Sequence, residues 1–183
     1  MDKRGLSIVE LLVALTLFVI VVGALFLIIT PSIDSFQLGD AQLDVEAQLR
    51  QALDTMTSEL MQTKISKIDD GPVSADNNNY NTIRFAIPHD IDGDGDILDS
   101  GQIVEWSDQG SAPWNIRYIL SGGQLLRISG GSVTVLGNHI SSLIFRRPSI
   151  NQNIIEISVT AERATAKNRQ TSINLSSQIR MRN

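Results

Sequence analysis

Apolar and polar positions along the chain fall into three regimes. From Leu11 to Ile29, nineteen consecutive residues carry no charge, and Thr16 and Gly23 are the main interruptions in an apolar run. A helix of that length reaches across the hydrocarbon core of a bilayer. After Pro31 the pattern turns periodic: Leu38, Ala41, Val45, Leu49, Ala52, Met56 and Leu60 recur at steps of three and four, with Asp40, Asp44, Gln48, Gln51 and Asp54 between them. This is an amphipathic helix with one face meant for burial, most economically against a sheet. Pro31 stands where it is expected to bend or interrupt the helix on leaving the membrane, and Gly71-Pro72 is expected to follow the helix end.

The third regime consists of short runs of strand character. They are Thr82 to Ile87, Gln102 to Trp106, Ile116 to Leu120, Gln124 to Ser129, Ser132 to Leu136, Ser142 to Arg146, Ile154 to Ala161 and Thr171 to Met181. Gly122-Gly123 and Gly130-Gly131 lie in the short connections between consecutive runs and tolerate positive φ, which suits antiparallel hairpins. The segments 76–79 and 163–168 are polar and aperiodic and read as loops. The fold class is α+β: a long N-terminal helix, half membrane and half amphipathic, packed on an antiparallel β-sheet.

Lys3 and Arg4 precede the apolar run and the first acidic residue after it is Asp34, so the positive-inside rule places Met1 in the cytoplasm and the remainder outside. A cleaved secretory signal fits poorly, because the run is too long and Gly23-Ala24 lie inside it. A plain membrane anchor would not need Glu10. A carboxylate near the start of an unbroken apolar helix costs up to about 3 kcal/mol at mid-bilayer and calls for a cationic partner.

Lys3-Arg4-Gly5 followed by Leu6-Ser7-Ile8-Val9-Glu10-Leu11-Leu12 resembles the cleavage and methylation motif of type IV pilin-like proteins. The resemblance implies cleavage after Gly5 by a membrane-embedded prepilin peptidase, methylation of the new amine on Leu6, and pairing of Glu10 with the N-terminal ammonium of an adjacent subunit during assembly. Such a pair would set axial register between subunits. On this reading residues 1–5 are the leader, 6–30 the transmembrane and assembly helix, 31–70 the amphipathic helix and 71–183 a β-rich periplasmic domain. Partners would be other pilins or pseudopilins, the prepilin peptidase/methyltransferase and the inner membrane. The segment Arg50 to Met56, the aspartate-rich loop and the Ile154 to Val159 strand resemble features of PilW-like minor pilins, and the chain in general is similar to these or to the J-type minor pseudopilin of type II secretion.

Composition narrows the chemistry. The chain has 183 residues, no cysteine and two histidines, His89 and His139, which leaves no thiolate nucleophile and little material for a histidine metal site. No triad or phosphate loop is present, so neither an enzyme nor a small-molecule substrate is expected. From Asp34 to Asp108 there are 16 acidic and 4 basic residues, and from Arg117 onward 9 basic and 2 acidic. Arg117, Arg127, Arg146, Arg147 and Arg163 would be the contacts if the basic portion bound DNA, though charge alone makes nucleic acid a weak expectation. Asp90, Asp92, Asp94, Asp96 and Asp99 form the densest chemical feature, opening as D-x-D-x-D-G like a calcium loop. The twelfth position is Gly101 instead of glutamate, so Asp99 or Glu105 would have to substitute, and structural Ca2+ is the expected cofactor.

Overall fold

A computed structural model of the chain describes residues 8–90, 93–98, 101–106, 115–150, 153–164 and 170–182. It divides into two compact units, Met1–Ala41 and Gln42–Asn183, with one helix, α1 (Ile8–Leu60), running through both. Among the described residues nine strands follow: β1 (Ile68–Asp70), β2 (Asn79–Tyr80), β3 (Thr82–Ala86), β4 (Asn115–Ser121), β5 (Gln124–Ser129), β6 (Ser132–Asn138), β7 (Ile140–Arg146), β8 (Ile154–Ala164) and β9 (Gln170–Arg180).

In the first unit α1 carries no buried apolar face. Its most apolar stretch has a mean hydropathy of 3.2 and none of it is buried within the chain. Helical backbone continues through Pro31, which corrects the expected interruption there. Pro31 costs α1 a single N–H donor. Close by, the hydroxyls of Thr30 and Ser32 donate to the carbonyls of Phe26 and Ile28, at 2.9 and 2.8 Å.

In the second unit the periodic face of α1 is buried as the spacing requires: Val45, Leu49, Ala52, Met56 and Leu60 are almost inaccessible. They share one core with Ile83, Phe85, Ile116 and Tyr118 and with Phe145, Ile155, Ile157 and Val159. Those residues come from two sheets, not one. The first has five strands in the order β1-β3-β4-β5-β6 and the second four in the order β2-β7-β8-β9, every pairing antiparallel. His139 supplies the junction between them. Its φ of 61° lets one residue turn the chain from β6 into β7.

Two boundaries differ from expectation. The helix ends at Leu60 and not near residue 70, because Ile68 is buried against β3 and the β1–β3 ladder claims the segment. Asp69 and Asp70 then pair with Arg84 and Arg117 at 2.8 and 3.4 Å. Gly71 turns the chain out of β1 with φ 104°, and a Cβ there would lie 2.6 Å from the Thr82 carbonyl oxygen, so only glycine fits. Second, the run 102–106 joins neither sheet. It makes isolated bridges, Leu98 with Val104 and Pro88 with Trp106, and so folds back on its own loop.

Candidate functional site

Glu10 lies in the first turn of the described helix, exposed and flanked by Ile8, Val9, Leu11 and Leu12, which are 58–79% exposed. The local sequence favours this: of the positions three and four residues away, Leu6, Val13 and Ala14 are apolar and only Ser7 is polar, so no charged partner lies on its face. A carboxylate presented on a wholly apolar rod can be neutralised by a cation brought by another chain, and the rod itself is long enough to span lipid. Gly5 and Leu6, the expected cleavage and methylation positions, lie outside the described residues.

The aspartate loop is described in part, with Asp92 and Asp99 outside the described residues. Asp90 accepts the backbone N–H groups of Gly93 (2.6 Å) and Gly95 (2.9 Å), and the bond from Gly93 holds its carboxyl below the usual carboxylate range. Asp94 accepts from the Asp96 N–H at 3.0 Å, and Asp96 from that of Leu98. These carboxylates therefore cap their own turns, with Gly93 and Gly95 at φ 80° and 96° making the turns possible. Among the described residues no three acidic or histidine side chains converge as a metal cage. The end of the loop is fixed by Trp106, whose ring lies 5.6 Å from the ammonium groups of both Lys64 and Lys67.

Four of the five arginines considered for DNA are held in ion pairs: Arg117 with Asp70, Arg127 with Glu59, Arg146 with Glu156 and Arg163 with Asp44. Arg147 donates to the Val73 carbonyl, and burial pushes its pKa down. On the outer face of the four-stranded sheet, a shallow recess of about 450 Å³ holds Arg146, Glu156 and Gln178, which bond to one another. These three side chains are thus already paired within the chain.

Sequence reading missed a partly enclosed polar cluster. Glu59, in the last turn of α1, accepts from the fully buried Tyr118 hydroxyl and from Arg127 Nε at 2.9 Å. Tyr118 and Arg127 face each other across β4 and β5, so the cluster requires a register that no local pattern encodes.

Among the described residues, one apolar helix with a carboxylate near its start continues as the buried helix of an α+β domain, an arrangement consistent with membrane anchoring. Residues 1–26 match the family described as the prokaryotic N-terminal methylation motif, and in that segment the chain is similar to type IV pilin-like proteins. The motif is that of structural subunits processed by prepilin peptidase and assembled with other pilins. No curated protein and no solved structure matches the chain.

Proposed function

We propose that the chain is a minor pilin, cut after Gly5, methylated on Leu6 and incorporated into a type IV pilus that it primes or caps. Its globular domain then lies in the periplasm and, after assembly, on the filament. The observation that carries this reading is Glu10, five residues after the Gly5–Leu6 bond by inclusive count, at the head of an otherwise uncharged span within the matched motif. Neutralising Glu10 with the new amine of a neighbour removes two charges from lipid at once and fixes subunit register.

The test is co-expression of the full chain with a prepilin peptidase, followed by N-terminal sequencing and mass measurement. The expected product begins at methylated Leu6, and Glu10→Ala is processed yet excluded from filaments. A chain that retains Met1 to Gly5 under these conditions is an ordinary anchored domain. The J-type pseudopilin of type II secretion is the second reading, supported by the same N-terminal motif. A DNA-binding competence subunit is less favoured, since its candidate arginines are engaged within the chain. The aspartate loop is proposed to hold a structural calcium ion through Asp90, Asp92, Asp94, Asp96 and Asp99, oxygen donors suited to a hard cation.

A further inference from the structure

Sheet edges expose backbone donors and acceptors, and folded proteins blunt them with brevity, bulges, lysine or proline. Three of the four edges here are blunted. β1 has three residues and a register shift, and β2 has two and follows a turn in which Asp76 caps the Asn78 N–H. β6 pairs with β5 through a shift that leaves Leu136 as an extra residue. β9 is different: its eleven residues pair with β8 without a shift, it contains no proline, and its single charge is the terminal Arg180.

The direction of its hydrogen bonds follows from one contact. Met181 N–H donates to the Asn153 carbonyl at 2.8 Å, so odd-numbered residues of this unshifted ladder bond to β8. The N–H and C=O groups of Gln170, Ser172, Asn174, Ser176, Gln178 and Arg180 therefore point away from the sheet. Among the described residues no strand receives them, and the nearest pairing is the Lys64 bridge to Arg182 just past the end. On the inner face Ile173 and Leu175 are only partly buried, although they pack against the core.

We propose that β9 accepts an antiparallel strand from a different pilin-type subunit, so that the four-stranded sheet continues into its neighbour. This names the partner class for the reading above and rests on it. Two subunits anchored by N-terminal helices in one membrane stand in the same orientation. An antiparallel sheet with an even number of strands has edges that run in opposite directions, so an upright neighbour with such a sheet brings an antiparallel edge to β9. The five-stranded sheet, odd in number, cannot do this. A second copy of this chain offers only the two-residue β2 at the matching edge, which is why the partner is a different subunit. It must present a long uncharged strand whose alternate apolar side chains extend the Ile173–Leu175 layer, main-chain bonds giving affinity and those side chains specificity.

The test is site-specific photocrosslinking in intact cells making the full set of leader-bearing subunits. A benzophenone amino acid replaces Ser172 in β9 or, as control, Ser132 in β6, and adducts are identified by mass spectrometry. The expected result is one adduct from β9, containing another subunit trimmed at its own leader, and none from β6. Ser176→Pro removes an outward N–H and fixes φ at an edge position that tolerates proline, and is expected to cut adduct yield roughly tenfold with a smaller loss of melting temperature than Ser177→Pro, which also breaks the β8 ladder. Ser176→Lys provides the same loss with no backbone constraint. A trimmed chain that gives no β9 adduct, an adduct only with its own copy, or an undiminished yield in both Ser176 variants overturns the inference and leaves the pilin reading intact. An untrimmed chain overturns both.

Discussion

Glu59, Tyr118 and Arg127 lock the end of α1 to the five-stranded sheet, and their chemistry makes the lock pH-sensitive. The Tyr118 hydroxyl is fully buried, and burial first, then its bond to Glu59, pushes its pKa well above the usual phenol value. The folded chain therefore keeps this proton when the unfolded chain loses it. Stability is fully present below about pH 10, the unfolded phenol value, and falls above it by about 1.4 kcal/mol per pH unit. Chemical denaturation from pH 8 to 11 should show this decline in the wild type. Tyr118→Phe should cost about 1 kcal/mol at pH 8 and flatten the alkaline limb. Glu10 was legible in the sequence because a lone carboxylate in an apolar run is a local anomaly. Glu59 was not, since its partners lie 59 and 68 residues away and are brought together by strand register.

The elements themselves were read well wherever a local rule decided them. Gly122, Gly123, Gly130 and Gly131 all take positive φ, 57° to 79°, as two-residue hairpins require, and β5 occupies the expected residues. β8 buries Ile155, Ile157, Val159 and Ala161 in strict alternation. Errors arose where tertiary contacts overruled pattern: the spacing from Leu60 to Ile68 suits a helix, but β3 recruits Ile68 as a strand residue. The same helix provides a graded test of which apolar positions hold the domain together. Leu49 is fully buried and Leu43, six residues earlier, is 67% exposed. Leu49→Ala should lower unfolding free energy by about 3 kcal/mol through lost transfer energy and a cavity, and Leu43→Ala by less than about 0.5 kcal/mol. Denaturant titration of the two variants decides the point, and equal losses would mean that the buried face has been misassigned.

At the scale of the molecule, the uneven charge along the sequence becomes internal pairing. Asp44, Glu59 and Asp70 from the acidic stretch meet Arg163, Arg127 and Arg117 from the basic one, so neither half presents its charge intact to a partner. The aspartate loop is left out of these pairs. Asp90 and Asp96 accept N–H groups of the loop itself, which organises the turn through dipoles, and a bound cation would add a full positive charge to acidic residues that follow one another closely. A calcium ion would supply that charge, and binding to the folded state alone at one hundred times Kd adds about 2.7 kcal/mol. For a domain of this size that raises Tm by roughly 5 to 10 °C. Trp106, which closes the loop over Lys64 and Lys67, offers a fluorescence readout of the transition. The rise should reverse with chelator, fail with magnesium at equal concentration, and vanish in Asp94→Asn/Asp96→Asn. A melting temperature indifferent to saturating calcium means that the turn is held by its own backbone bonds and needs no ion.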